Sequence, residues 1–250
     1  MGAKRSLSLC YSQIALALRR RILVVSPVNN QDLHGNVPDD SSVVLILIDL
    51  INDFEFDGAD PMFTNTLAIA QPIAKLMKNA KAAGIPVIYV NDNFGKWQSD
   101  FRKLVDHCLK DNVKGRPIAQ LLRPDERDYF VLKPKHSAFY STSLDLLLRY
   151  LKANTLILTG IAGNICVLFT ASDAYMRDFN LLVPQDCIAS ETEADNQHAI
   201  AYMSKVLKAD TRPSTEIDLE GMAGQKLDDG ARQEHGQDGA GRADQPHPQV

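Results

Sequence analysis

The sequence lacks several features that would assign it to a particular class of protein. It has four cysteines in 250 residues, and they lie far apart without a CxxC pair or a zinc-binding spacing. That distribution argues against a disulfide framework and favours a reducing compartment. No apolar run approaches the roughly 18 residues that cross a membrane, and a net charge of −4 gives no basic excess for nucleic acid. We therefore expect a cytoplasmic protein that acts on a small molecule, with no membrane or nucleic-acid partner.

The two ends of the chain are poor in the residues that build a core. The first 31 residues carry basic side chains and no acidic ones, which fits either a transit peptide or an uncleaved, poorly ordered extension, and we favour the second. From Gly221 onward, large apolar residues are almost absent, which predicts disorder. We predict an N-terminal extension over residues 1–42, one folded domain over 43–217 and a disordered tail over 218–250.

Between these ends, apolar runs alternate regularly with helical segments. Val43–Ile48 is a continuous apolar run, which is typical of a central strand buried on both faces. Strands that alternate with helices predict a three-layer α/β/α fold with a mostly parallel central sheet, of the Rossmann-like kind. Further strands are predicted at 86–90, 129–133, 155–159 and 181–184, and helices at 64–83, 101–110, 143–151, 166–178 and 194–208.

The most informative stretch is residues 155–167, TLILTGIAGNICV, where an apolar strand runs through a glycine-bearing turn into a helix. Cys166 thus falls at the carboxyl end of a parallel strand, where α/β proteins bind their ligands. Glycines at 160 and 163 let the backbone turn sharply, and a helix N-terminus favours a thiolate. The alternative is that Cys166 is a small buried hydrophobic residue.

Two charged residues follow other apolar strands. Asp49 comes directly after the run that begins at Val43, and Lys133 ends the strand predicted at 129–133. Because the carboxyl ends of parallel strands share one edge of the sheet, Asp49, Lys133 and Cys166 are predicted to converge. A buried carboxylate and a buried ammonium are each costly unless they are paired. A structural ion pair is the alternative for the two charges, but a cysteine beside them favours catalysis.

These three side chains suit acyl transfer. Cys166 attacks a carbonyl, and Asp49 takes the thiol proton as general base. Lys133 lowers the pKa of the thiol and keeps the carboxylate ionised. Backbone amides of the 162–166 turn receive the oxyanion. The leaving amine takes its proton from Asp49, and water then releases the thioester.

Three segments resemble motifs of the isochorismatase-like cysteine hydrolases, a family that includes nicotinamidases and N-carbamoylsarcosine amidases. LIDLINDF at 47–54 resembles the opening motif hydrophobic-D-x-Q-N-D-F, and KPKHSAF at 133–139 resembles K-x-x-x-S-A-F. GIAGNICV at 160–167, with the TA and DA pairs that follow it, resembles the segment that carries the nucleophile. The resemblance covers roughly residues 43–210, with the three motifs in family order and at ordinary spacing.

The resemblance implies an isochorismatase-like hydrolase fold with Asp49, Lys133 and Cys166 as catalytic triad. It also implies a non-proline cis peptide bond between Ile161 and Ala162, which in the family turns the amides of Ala162 and Cys166 into an oxyanion hole. A homo-oligomer is implied as well. Lys135 lies on the same side of an extended segment as Lys133 and is the second choice for the lysine.

The sequence departs from the family pattern at two places. Ile51 stands where the opening motif has glutamine, which removes one polar contact near the site. Nicotinamidases carry an Asp-x-His and further histidines that bind a metal, whereas the loop at 92–94 reads DNF and no histidine lies between His34 and His107. We therefore expect no metal and no cofactor. The presence of Cys166 also argues against isochorismate as substrate, since the family members that cleave that vinyl ether lack the cysteine.

The side chains predicted to line the substrate pocket are Phe54, Phe94, Trp97, Phe139 and Asn164. Small-ligand sites are mostly apolar with a few polar groups, which favours aromatic residues and an amide beside the nucleophile.

The first hypothesis for function is a metal-independent cysteine amidase that cleaves a C–N bond of a small amide, ureide or carbamoyl compound. The alternatives are a metal-dependent nicotinamidase and a non-catalytic binding protein that retains the fold.

Overall fold

The sheet is built outward from β1, Val43–Ile48, whose six residues are all buried. The computed structural model describes residues 40–93 and 100–223. β1 pairs in parallel with β2 (Val87–Asp92) on one side and with β4 (Thr155–Ile161) on the other. A strand that has neighbours on both sides and no polar side chain must be covered on both faces, as its continuous apolar run predicts.

The order of the strands creates a crevice at one edge of the sheet. The order is β3-β2-β1-β4-β5 with every pairing parallel, where β3 is Tyr129–Lys133 and β5 is Asn180–Leu182, and the short β6 (Ile188–Ala189) also pairs with β4. The chain moves outward from β1 to β3 and then returns to start β4 on the other side of β1. At such a switch point, the carboxyl ends of the two central strands form a ligand-binding crevice. Asp49 follows β1 and Cys166 follows β4, so both lie at this crevice.

Helices pack against the parallel sheet and confirm the predicted three-layer α/β/α fold. A five-residue π-helical turn, Gly163–Val167, separates β4 from the helix that follows it. Among the described residues, none of the helices is long and apolar enough to cross a membrane. The α-helices are α1 (Ala59–Ala82), α2 (Phe101–Lys110), α3 (Arg116–Leu121), α4 (Leu144–Tyr150), α5 (Leu168–Tyr175), α6 (Glu193–Lys205) and α7 (Leu219–Ala223).

Side-chain caps explain where several helices begin. Asp100 and Thr192 precede α2 and α6, and each side chain accepts a hydrogen bond from a backbone amide of the first turn. The expected cap of α4 is different. Ser143 makes no capping hydrogen bond, and Thr142 Oγ1 instead accepts from the amide of Leu144 at 3.2 Å.

Several boundaries differ from the prediction. α1 begins at Ala59 rather than at residue 64 and continues through Pro72. The helix predicted from Cys166 to residue 178 is an α-helix only from Leu168 to Tyr175, because the cysteine lies in the π-helical turn. α3 and β6 were not predicted, since elements of two to six residues are too short for a hydrophobic period to show.

The carboxyl-terminal boundary of the folded part also lies beyond residue 217. α7, Leu219–Ala223, falls inside the segment predicted as a disordered tail, and Leu219 is buried in the hydrophobic core. The rest of the predicted tail, from residue 224, and the predicted N-terminal extension up to residue 39 lie outside the described residues.

Candidate active site

Asp49 leaves β1 with its carboxylate turned into a polar cluster. Its amide donates to the carbonyl of Val90 at 2.8 Å, which continues the β1–β2 ladder by one residue. Its backbone then adopts a left-handed φ of 53°, uncommon for a residue other than glycine. The residue is buried, and Oδ1 accepts a hydrogen bond of 2.7 Å from the amide of Asp92. The carboxylate is therefore fixed by backbone on one oxygen, which leaves the other for a cation.

Lys133 supplies that cation. It is the last residue of β3 and is fully buried, and its Nζ lies 2.8 Å from Asp49 Oδ2. The same Nζ lies 3.7 Å from Asp92 Oδ2 and 3.5 Å from the Sγ of Cys166. We call Asp49, Asp92 and Lys133 the charged cluster. Lys135, the second choice for the lysine, is exposed.

Cys166 is the fourth residue of the π-helical turn Gly163–Val167, which we call the cysteine turn. Single π-helical turns are rare in proteins as a whole, but those that occur are often found at functional sites. The peptide bond between Ile161 and Ala162, just before this turn, is cis. Two amides of the turn, those of Ile165 and Val167, donate to the carbonyl of Ala162 at 3.0 and 3.1 Å.

Two glycines make this backbone path possible. Gly160 has φ of +117°, and a Cβ there would lie 2.1 Å from the carbonyl oxygen of Ile48, so no other residue fits beside β1. A Cβ on Gly163 would lie 2.6 Å from Asn196 Oδ1 and 3.0 Å from Ser190 Oγ. The sequence therefore needs glycine at both positions to bring the end of β4 close to its neighbours.

A buried hydrogen-bond chain holds the cysteine turn from behind. Ser190 Oγ accepts from the amide of Asn164 at 3.1 Å and donates to Asn196 Oδ1 at 3.2 Å. Asn196 Nδ2 in turn donates to the carbonyl of Ile188 at 3.2 Å. Ser190 and Asn196 are both buried, so this chain joins α6 and β6 to the turn without water in between.

The charged cluster sets the protonation of the site. Burial raises the pKa of Asp49, and Lys133 opposes this shift through its charge and its hydrogen bond. For Lys133, burial lowers the pKa, but the neighbouring side chains, Asp49 foremost, outweigh it and the net shift is upward. Lys133 therefore stays an ammonium ion, and Asp49 is a stronger base than an exposed carboxylate.

The thiol differs from the expectation drawn from the sequence. Burial, together with the charge of Asp49, raises the pKa of the Cys166 thiol to about 12, although Lys133 acts in the opposite direction. From the sequence, Lys133 and the helix N-terminus were expected to lower this pKa. The effects of burial and of the Asp49 carboxylate, which raise it, were not foreseen. At rest the cysteine is therefore a protonated thiol, and it needs a base to become a nucleophile.

Two polar residues of the site were missed by the sequence analysis. Asp92, considered from the sequence only as part of a segment without the metal-binding histidine, belongs to the charged cluster, because β2 ends at the same sheet edge as β1 and β3. His136 lies with its Nδ1 3.9 Å from the Sγ of Cys166. The rule that placed Asp49 at the strand end applies equally to Asp92. Nothing in the spacing marks His136, since it follows β3 in a loop.

The predicted pocket residues are distributed differently from the expectation. Phe54 is fully buried and packs its ring against Phe56 and Phe63, so it serves the core rather than a pocket wall. Phe139 is 6% exposed, and the centroid of its ring lies 4.7 Å from the guanidinium carbon of Arg177. The Oδ1 of Asn164 is buried and has no hydrogen-bond partner among the described residues. Phe94 and Trp97 lie outside the described residues.

Comparison with known proteins assigns the chain to a family. The model of the Isochorismatase domain matches residues 43–211. The chain belongs to the isochorismatase family. This match confirms the resemblance of the three sequence motifs and spans every strand of the sheet.

Isochorismatase-family relatives cover the folded part of the chain. The chain is 43% identical over 173 residues to YaaI of Bacillus subtilis (strain 168), an uncharacterized isochorismatase family protein, covering 69% of this chain and 94% of that protein. The structure of N-carbamoylsarcosine amidase from Thermoplasma acidophilum is 28% identical with a TM-score of 0.57, covering 71% and 99%. A pyrazinamidase/nicotinamidase from Streptococcus mutans UA159 is 30% identical with a TM-score of 0.54, covering 68% and 99%.

Chemically, the arrangement combines a thiol, a buried carboxylate and a buried ammonium within hydrogen-bonding reach. A thiol next to a base is the signature of nucleophilic catalysis. In the described ranges, 40–93 and 100–223, no group of three or more His, Cys, Asp or Glu side chains is placed to hold a metal ion.

Proposed function

We propose that this protein is a cysteine amidase that hydrolyses a C–N bond of a small amide, ureide or carbamoyl compound without a metal. The observation that carries the proposal is the contact of one buried ammonium with both the carboxylate of Asp49 and the sulfur of Cys166, at 2.8 and 3.5 Å. A purely structural ion pair has no need of a thiol as its third member.

In this proposal, Cys166 is the nucleophile and Asp49 is the general base. The thiol is protonated at rest, so its attack on the carbonyl carbon is coupled to transfer of the proton to Asp49. The raised pKa of Asp49, caused first by burial, makes the carboxylate a better acceptor for that proton. Lys133 keeps its charge and stabilises the thiolate character that develops on sulfur.

The negative charge on the carbonyl oxygen needs donors from the cysteine turn. The amides of Asn164, Ile165 and Val167 already donate to protein oxygens. The amides of Ala162 and Cys166 are not among these, and the resemblance to the family assigns the oxyanion hole to them. The simplest cycle lets Asp49 return the thiol proton to the leaving nitrogen, after which water hydrolyses the thioester.

The relatives support amide hydrolysis as the reaction class. N-carbamoylsarcosine amidase and pyrazinamidase/nicotinamidase are named for cleaving a carbamoyl group and an aromatic carboxamide, respectively. The second of these names supports nicotinamide as an alternative substrate. The sequence DNF at 92–94 lacks the histidine of the metal-binding nicotinamidases, so we rank a carbamoyl or ureido compound first.

We also propose that the protein forms a homo-oligomer. The support is a set of large apolar side chains that stay exposed on or next to α4 and α5: Leu146, Tyr150, Phe169, Tyr175 and Met176. Light scattering coupled to size exclusion measures the mass, and a mass near 27.7 kDa would contradict this proposal.

The experiment that tests the proposed function is a hydrolysis screen with matched variants. A panel of ureido acids, carbamoyl amino acids and nicotinamide is incubated with the wild type, with Cys166→Ala and with Cys108→Ala, and release of ammonia is measured. Cys108 is buried in the core, so its variant controls for removal of a thiol. We expect turnover by the wild type and Cys108→Ala and none by Cys166→Ala. Turnover that survives in Cys166→Ala would reject the proposal, and absence of turnover in all three would favour the non-catalytic alternative.

A further inference from the structure

His136 is a neighbour of the cysteine that the mechanism above does not use. Its ring is exposed, and its Nδ1 lies 3.9 Å from the Sγ of Cys166. The same sulfur lies 3.5 Å from the fully buried Nζ of Lys133. The sulfur is therefore bordered by a buried ion pair and by an imidazole that is open to solvent.

Neighbouring contacts fix His136 relative to the cysteine. The next two residues bond to α5: the hydroxyl of Ser137 donates to Oδ2 of Asp173, and the amide of Ala138 donates to Oγ1 of Thr170 at 3.0 Å. The imidazole ring itself lies 5.7 Å from the ring of Phe169, on the same helix. Because α5 continues directly from the cysteine turn, these contacts hold the imidazole beside Cys166.

An amide nitrogen leaves only when it receives a proton, since an amide anion is too basic to depart. Asp49 is poorly placed for this delivery, because its oxygens are bonded to Lys133 and to the amide of Asp92 and its side chain is 11% exposed. The exposed ring of His136, 3.9 Å from the sulfur, is instead a proton carrier that exchanges with water.

We propose that His136 is a catalytic residue that donates the proton to the leaving nitrogen. This inference rests on the proposed function. It changes one step, since His136 rather than Asp49 protonates the leaving nitrogen. When the tetrahedral intermediate collapses, the oxyanion re-forms the carbonyl and the electron pair of the C–N bond moves to nitrogen. Nitrogen takes the Nδ1 proton of the His136 imidazolium. The products are the thioester, a neutral amine, neutral His136 and Asp49 that carries the former thiol proton.

The second half of the cycle restores both groups. Neutral His136 accepts a proton from the attacking water as the new C–O bond forms. When the C–S bond then breaks, the sulfur keeps the electron pair and takes the proton held by Asp49. Each group is back in the protonation state from which the cycle began, and one water has been consumed for each C–N bond cleaved.

Two substrates with the same acyl group test this role. The first is the amide that the screen shows to be hydrolysed fastest, and the second is its p-nitrophenyl ester, whose leaving group departs without a proton. We expect His136→Gln to lower kcat for the amide by about 100-fold or more, the usual size of a general-acid effect. For the ester we expect the rate of p-nitrophenolate release in the first turnover, before the water step in which His136 also takes part, to change by less than about threefold, since protonation of its leaving group contributes little. His198→Gln, the same change at an exposed position of α6, serves as the matched control.

The outcomes separate this inference from the function on which it rests. Equal losses in the first-turnover rates of amide and ester cleavage in His136→Gln would indicate a structural role and overturn the inference. So would an amide kcat equal to that of the wild type and of His198→Gln. In both cases turnover still depends on Cys166, and the proposed function stands. Turnover of the amide by Cys166→Ala would overturn the proposed function and this role of His136 together.

Discussion

Removal of the buried ammonium should show how strongly the charged cluster constrains the fold. Lys133→Met replaces a fully buried cation with an apolar side chain of similar length and leaves the carboxylate of Asp49 without its partner at 2.8 Å. Breaking a buried ion pair from one side costs about 3–5 kcal/mol. For a domain of this size, each kcal/mol lowers the Tm by about 2–4 °C, so we expect a fall of about 6–20 °C.

The double variant Asp49→Asn/Lys133→Met separates the ion pair from general damage to the core. Replacing both members of a buried pair is often neutral or stabilising. We therefore expect the double variant to lie within about 1 kcal/mol of the wild type in free energy of unfolding, measured by urea denaturation. If the losses of the two single variants simply add in the double variant, the charges do not stabilise each other and our reading of the cluster is wrong.

The pH dependence of Lys133→Met has a definite sign. Burial already raises the pKa of Asp49, and the variant removes the cation that opposes the shift. The folded variant therefore holds a proton on Asp49 at pH values where the unfolded chain, with an ordinary pKa of about 3.9, has released it. Its stability should rise as the pH falls from neutral toward about 4, so the gap to the wild type narrows. A gap that widens on acidification would contradict this.

Three further predictions concern the cysteine and its supports. Asp49→Asn removes a charge that raises the pKa of the Cys166 thiol, so iodoacetamide should alkylate this variant at lower pH than the wild type while amide hydrolysis is lost. Unchanged alkylation would contradict the electrostatic account. Gly160→Ala should prevent folding, since a Cβ would lie 2.1 Å from a β1 carbonyl, whereas Gly84→Ala, with open space around its Cβ, should fold with a lowered Tm. Ser190→Ala removes the acceptor of a part-buried amide in the cysteine turn and the donor to the buried Oδ1 of Asn196, and it should cost about 1–3 kcal/mol in unfolding free energy. It should also lower kcat/KM, and wild-type kinetics would argue against a positioning role.

The sequence was sufficient for every strand of the sheet except the two-residue β6, and for the three residues at the sheet's edge. The apolar run of β1 could only be a strand covered on both faces, and the polar residue after each parallel strand had to share one crevice. Asp49, Lys133 and Cys166 follow from that topology alone. Asp92 obeys the same rule and was overlooked, because it was compared with a metal-binding motif rather than with the strand ends beside it.

Features that depend on packing were beyond the sequence. The pKa of the thiol reflects its burial and the position of the Asp49 carboxylate, which spacing along the chain does not give. Phe54 was assigned to the pocket because it is an aromatic residue near the motif, but its ring faces the core. His136 lies beside Cys166, and Ser190 bonds to the cysteine turn at Asn164. Both residues lie in loops, where neither a helical nor a strand period predicts the direction of a side chain.

The central claim is that the substrate becomes covalently attached to Cys166. We would mix the enzyme with the best amide of the screen, quench with acid within one turnover and locate the adduct by peptide mass. We predict an acyl group on the peptide that contains Cys166 and none on the peptides of Cys108 or Cys187. In the Cys166→Ala variant, no peptide should carry the acyl group. Hydrolysis that proceeds at the wild-type rate in Cys166→Ala, with no acyl peptide at any time, would contradict it.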